Sequence, residues 1–208
     1  MRQVLDAIER QRIIGVLRVK RAGAAAPAAR AVAAGGISIL EIPATVPGFA
    51  GAIAELRQQD NIIVGAASLL EGRQAHEATA AGAAFLVSPC FVPEVWDEAK
   101  KRGLLYLPGA ATPSEVFALA GRRFELIKVF PAAHLGGPKY IRSLLAAMPG
   151  LRLVPTGGVS SSNIREYVNA GAWAVGVGDS ILPEEQVVAG DWGAISRLAA
   201  ELRAALGE

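Results

Sequence analysis

The sequence predicts an α/β fold, a (β/α)8 TIM barrel with an additional N-terminal helix, in one domain over residues 1–208. Three observations predict it. Eight short apolar runs alternate with segments of helical period along the chain. The runs are rich in β-formers and mostly non-alternating, as in strands buried on both faces of a parallel sheet. A glycine recurs at five of the joints where a helical segment meets the next run, and glycine suits the left-handed position that ends a helix before a tight turn. No linker, low-complexity tract or charge block divides the chain. Eight βα units in one domain favour a closed barrel over an open doubly wound sheet, the competing architecture.

The elements follow in order. Residues 1–12, MRQVLDAIERQR, form a charged amphipathic helix. The predicted strands are Ile13–Arg18, Ile37–Ile42, Ile62–Ala66, Phe85–Ser88, Leu104–Pro108, Leu126–Phe130, Leu151–Pro155 and Ala174–Val177. The predicted helices are Ala22–Ala34, Gly48–Gln58, Gly72–Ala80, Pro93–Arg102, Pro113–Ala120, Lys139–Ala147, Ser162–Ala170 and Trp192–Leu206. The joints carrying the glycine signal are at Gly36, Gly82, Gly103, Gly150 and Gly171. The repeat is about two dozen residues long.

Composition narrows the function classes. With 208 residues, 52% of them hydrophobic, the chain can bury a full core. A net charge of +2 points to neither nucleic acid nor a membrane surface. No run approaches the roughly 18 apolar residues of a spanning helix, and the first helix has no apolar leader core. Cys90 is the single cysteine, which excludes an internal disulfide and suggests a reducing, cytoplasmic compartment. Lacking a nearby histidine, Cys90 reads as a small buried or pocket-lining residue. No group of residues has metal-ligand spacing.

A barrel of this class builds its site at the C-terminal ends of its strands. Two charges stand inside predicted strands, Glu41 in Ile39-Leu40-Glu41-Ile42 and Lys128 in Leu126-Ile127-Lys128-Val129-Phe130. A bare buried charge costs several kcal/mol, so each must be paired or functional. One reading is a structural salt bridge across the barrel interior. The other is a desolvated amine that attacks a carbonyl, with the carboxylate moving protons. Thr156-Gly157-Gly158-Val159-Ser160 and Gly176-Val177-Gly178 leave the last two strands. Glycine-rich turns of this kind expose backbone N–H groups to an anion, and phosphate sites recur at this place in the fold. Plain tight turns are the alternative.

The segments Leu40-Glu41-Ile42-Pro43, Ser88-Pro89, Leu107-Pro108-Gly109, Thr112-Pro113-Ser114-Glu115, Lys128-Val129-Phe130-Pro131-Ala132 and Pro155-Thr156-Gly157-Gly158-Val159 also form a set. In order and spacing it resembles the 2-keto-3-deoxy-6-phosphogluconate (KDPG) aldolase family, which includes 4-hydroxy-2-oxoglutarate aldolases and a 6-phosphogalactonate branch. The resemblance runs from about Ile13 to Ser180. It implies a class I aldolase, commonly a homotrimer, that needs no metal or organic cofactor and takes a small-molecule substrate. It assigns Lys128 to the Schiff base and Glu41 to acid/base work. Thr156 then meets substrate hydroxyls, and Gly157, Gly158, Gly178 and Ser180 hold phosphate. Pro89 and Phe130 wall the pyruvyl group.

Two positions depart from the pattern. An arginine that holds the keto-acid carboxylate in many members is Thr45 here, and a glycine-threonine pair is Ala67-Ser68. Arg18, with Ser68, is the expected replacement for the carboxylate. The implied reaction splits a KDPG-like acid into pyruvate and glyceraldehyde 3-phosphate. A related 2-keto-3-deoxy acid, or a non-catalytic trimeric barrel, remains open.

Overall fold

The computed structural model describes residues 1–207. In chain order the elements are α1 (Arg2–Gln11), β1 (Ile13–Val16), α2 (Ala25–Ala34), β2 (Ile39–Pro43), α3 (Phe49–Leu56), β3 (Ile63–Ala67) and α4 (Gly72–Ala80). There follow β4 (Phe85–Val87), α5 (Pro93–Arg102), β5 (Leu105–Leu107), β6 (Gly109–Ala110), α6 (Pro113–Gly121), β7 (Ile127–Val129) and α7 (Gly137–Ala147). The last are β8 (Leu153–Pro155), α8 (Ile164–Asn169), β9 (Val175–Val177), α9 (Glu184–Ala189) and α10 (Trp192–Leu206).

All strand pairs are parallel, in the orders β5-β4-β3-β2-β1-β9 and β6-β7-β8. The fifth strand runs on past its predicted end at Pro108, which separates β5 from β6 because proline has no N–H to give the ladder; the barrel thus has eight strands from nine segments. The ring closes where Thr156 bridges Gly176 and where Trp173 N–H donates to Leu153 O at 2.9 Å. The barrel is closed, and the open-sheet alternative falls away.

Two layers of apolar packing follow from the period of two in each strand. Outward residues such as Leu40, Ile42, Ile127, Val129, Val175 and Val177 pack beneath the helices. Inward residues such as Ile14, Ile39, Phe85, Leu105, Leu107, Leu126 and Val154 fill the barrel. Val4, Leu5 and Ile8 of α1 join this inner cluster, so the N-terminal helix plugs the bottom of the barrel. That leaves the C-terminal ends of the strands as the open face.

The glycines at the five predicted joints have positive φ, from 65° at Gly103 to 98° at Gly171. Three details differ from the sequence expectation. β1 ends at Val16, two residues before Arg18, because the ladder stops once Leu17 N–H has met Glu41 O (2.9 Å) and Arg18 N–H turns back to Val16 O (3.1 Å). The helix α9, six residues long, was not expected; its apolar face is only Val187. Cys90 is exposed rather than buried: it sits past the end of β4, and its carbonyl accepts from the Tyr106 hydroxyl at 3.5 Å.

Candidate active site

Lys128 and Glu41 come from strands on opposite sides of the ring, 87 residues apart, and meet inside it. Lys128 Nζ donates to Glu41 Oε1 at 2.9 Å. The residues are 7% and 2% exposed, so water screens the contact poorly. Inward-facing positions on β2 and β7 carry them: Glu41 lies level with Gly65 on β3, and Lys128 with Gly109 on β6. The glycines matter for packing. A Cβ on Gly65 would stand 2.7 Å from the Phe85 ring, and one on Gly109 would collide with the Pro89 carbonyl. Neighbouring strands therefore lean into the interior beside both charges.

Between the turns that follow β8 and β9 lies a cavity of about 230 Å³, whose lining includes neither Lys128 nor Glu41. It brings together Arg18, Phe130, Thr156, Gly157, Gly158, Gly178 and Ser180 of the expected residues. Phe130 connects it to the catalytic pair, because the Lys128 ammonium lies 6.0 Å from the ring centroid. Thr156 is buried and reaches into the space left by Gly176, and its hydroxyl donates to Val154 O at 3.3 Å. Gly157 and Gly158 adopt φ of 94° and 77°, and a Cβ on Gly158 would collide with the Ala133 side chain. Asn163 braces this turn: its Nδ2 donates to Gly158 O (2.8 Å) and its Oδ1 accepts from Ser160 N–H (2.9 Å).

The N–H groups of Gly158, Val159, Asp179 and Ser180 have no acceptor among the described residues, whereas the Gly157 amide belongs to the Thr156–Gly176 bridge. Unclaimed amides on two facing turns make a ready seat for an anion. Ser180 is different: its hydroxyl donates to Val159 O at 2.9 Å, so its proton is already used.

Other expected residues lie apart. Thr45 is exposed and lines a second cavity of about 660 Å³, which adjoins the first through Arg18 and Asp179. Arg18 is exposed, and its guanidinium has no ion-pair or hydrogen-bond partner among the described residues; it is not paired with Glu41. Ser68 follows β3 at φ 54° and lines neither cavity, and neither does Pro89. Sequence reasoning missed Val16, Val159, Ser160 and Asp179, all of which line the smaller cavity. The signal for the last three was their place inside the glycine-rich turns, where the backbone contributes whatever the side chain.

Among the described residues no helix is long and apolar enough to cross a membrane. Among the same described residues, no group of three or more His, Cys, Asp or Glu could hold a metal ion.

A family model described as KDPG and KHG aldolase matches residues 4–198. A 2-dehydro-3-deoxy-phosphogluconate aldolase of Treponema pallidum is 35% identical over 196 residues, covering 94% of this chain and 93% of that protein. Among solved structures, the KDPG aldolase of Legionella pneumophila, with pyruvate captured as a covalent carbinolamine, is 31% identical with a TM-score of 0.84. That match covers 92% of this chain and 94% of the other. The 2-keto-3-deoxy-6-phosphogluconate aldolase of Zymomonas mobilis, solved with 3-phosphoglycerate, is 28% identical at a TM-score of 0.85, covering 96% of this chain and 95% of that one.

Proposed function

The chain belongs to the KDPG and KHG aldolase family, and from that premise we propose how its own residues carry out the family's reaction. It is a class I aldolase, a carbon–carbon lyase acting on a KDPG-like 2-keto-3-deoxy acid. The observation that carries the assignment is the buried 2.9 Å contact between Lys128 and Glu41, 6.0 Å from the Phe130 ring that lines the glycine-walled cavity. A salt bridge and a catalytic pair are here the same object in two protonation states. Passing the proton from Nζ to the carboxylate leaves a neutral amine and a carboxylic acid, the two forms that imine formation needs.

Lys128 Nζ adds to the C2 ketone. Glu41 supplies the proton that helps expel water from the carbinolamine, which becomes the iminium. The regenerated carboxylate then takes the proton from the C4 hydroxyl. The C3–C4 bond breaks, its electron pair flows into the iminium, and an aldehyde leaves. With a 6-phosphorylated substrate that aldehyde is glyceraldehyde 3-phosphate. The enamine takes a proton at C3, and water releases pyruvate from Lys128.

The remaining residues position the substrate. Arg18 holds the keto-acid carboxylate in place of an arginine at Thr45, with Ser68 as the second donor. Support for Arg18 is its unpaired guanidinium at the cavity rim; Ser68 stands further off and depends on the loop after β3. Thr156 meets substrate hydroxyls. Gly157, Gly158, Gly178 and Ser180 seat the distal phosphate through the turn amides. Phe130 and Pro89 wall the pyruvyl end. The domain spans residues 1–208 as one unit. It works as a homotrimer in the cytoplasm, within the Entner–Doudoroff route of carbohydrate breakdown, and requires no cofactor.

Pyruvate release from a panel of 2-keto-3-deoxy sugar acids, each with and without a 6-phosphate, tests the assignment. Turnover of at least one phosphorylated member is expected. No turnover of any member, in a protein that still binds pyruvate, would leave a non-catalytic barrel.

A further inference from the structure

One charge in the cradle has no role in the scheme above. Asp179 stands between Gly178 and Ser180, is exposed, and lines both the glycine-walled cavity and the larger one beside it. No ion pair or hydrogen bond engages its carboxylate among the described residues. Of the residues lining the glycine-walled cavity, Asp179 is the one acid and Arg18 the one base. The other charges nearby do not compensate. Lys20 is paired with Glu184 at 2.8 Å, and Arg21 leans on the Val188 carbonyl (3.5 Å) and the Trp192 ring (5.9 Å).

A phosphate monoester carries about −1.5 to −2 charges near neutrality. In this cradle it meets neutral amides, the Ser180 hydroxyl, whose proton is already donated to Val159 O, the Ser160 hydroxyl, which shares a hydrogen bond with Ser162, and the Asp179 carboxylate. If Arg18 serves the keto-acid carboxylate, no cation is left to offset Asp179. Like charges in one partly desolvated cavity repel, and a dianion suffers more than a neutral hydroxyl does. A hydroxyl, by contrast, can donate a hydrogen bond to the carboxylate.

We propose that Asp179 is a specificity-determining residue that lowers the preference of this site for a phosphorylated distal end, so that 2-keto-3-deoxy acids ending in an uncharged hydroxyl are also substrates. The inference rests on the reading that the glycine turns seat the distal end of the substrate. Specificity is then a difference of two interactions: the amides attract the phosphate and the carboxylate repels it.

The test compares 2-keto-3-deoxygluconate with its 6-phosphate in the wild-type protein and in Asp179→Asn, Asp179→Ser and Asp179→Glu. The ratio of kcat/KM for the phosphorylated to the unphosphorylated acid should rise about tenfold or more in the Asn and Ser variants. It should stay near the wild-type value in the Glu variant. Inhibition by inorganic phosphate should strengthen in parallel. Borohydride trapping of pyruvate counts competent sites in each preparation, so that misfolding cannot imitate a specificity change. A ratio that is unchanged or lower in Asp179→Asn, with phosphate still competing, overturns the role of Asp179. Phosphate that competes in no variant while pyruvate is still trapped overturns instead the seating of the distal end in the glycine turns.

Discussion

At the scale of single residues, the buried pair makes claims that a structural salt bridge would not. Glu41→Gln keeps the shape and a hydrogen-bonding partner for Lys128 but cannot shuttle the proton. Its kcat should fall by about 10²–10⁴-fold, with pyruvate still bound; near-normal turnover would make Glu41 merely structural. Lys128→Ala should abolish turnover and also destabilise the fold, because it strands a carboxylate that is 2% exposed; breaking a buried pair costs about 3–5 kcal/mol. Denaturant unfolding reads that loss. Arg18→Ala should raise KM for pyruvate and for full substrate by an amount worth about 1.5–3 kcal/mol, the scale of a charge-assisted hydrogen bond. Introducing Thr45→Arg into that variant should recover part of it. An unchanged KM would hand the carboxylate to backbone amides.

Glu41 and Lys128 were legible in the sequence because charge inside an apolar run is costly. Asp179 was not, because a carboxylate after a strand end looks like any solvated loop residue until the cavity beside it is seen. Ser68 and Thr45 were placed by their positions relative to a family pattern, and position along the chain does not say which way a loop turns.

At the scale of elements, caps and close approaches decide which loops hold still. Thr112 accepts from Glu115 N–H at 3.3 Å, and Glu115 Oε2 accepts from Ala111 N–H, Thr112 N–H and the Thr112 hydroxyl at 2.8–2.9 Å. These donors, the Ala111 amide first, hold the Glu115 carboxyl below its usual range. A depressed folded-state value means that the stabilisation is present above the unfolded value, about 4.3, and is lost as pH falls through the folded one. Glu115→Gln should therefore be less stable than wild type near neutrality, and the gap should close as the pH is lowered into that range. A gap that stays constant would point to the hydrogen bonds alone. Thr112→Ala should cost about 1 kcal/mol at neutral pH, the usual worth of such a cap.

Strand and helix types were legible from period and punctuation. Strand ends were not. The fifth run was ended at Pro108 although the strand resumes after it at Gly109–Ala110, and β1 stops before its apolar run does. The short α9 escaped notice because six residues with one buried side chain leave no periodic signal.

At the scale of the whole molecule, the barrel has a division of labour between its ends. The bottom is closed by α1, whose Ile8 is fully buried against the inner cluster, and the top carries the chemistry. Ile8→Ala should cost about 2–5 kcal/mol of stability and leave kcat per folded molecule unchanged. Thermal unfolding and an imine-titrated assay separate the two. Loss of kcat in the folded fraction would mean that the bottom layer positions Lys128. The closed architecture was readable from eight buried runs, because a parallel sheet of that length with no unpaired edge closes on itself. The meeting of β2 and β7 across the ring was not readable from spacing, since only closure brings residues 41 and 128 together.

Borohydride trapping decides whether Lys128 is the nucleophile. Incubation of the wild-type protein with pyruvate and borohydride should add one reduced pyruvyl group per chain, and peptide mapping should place it on Lys128. An adduct on Lys20 or Lys139, or no adduct in a preparation that turns over substrate, would rule out Lys128 as the Schiff-base lysine.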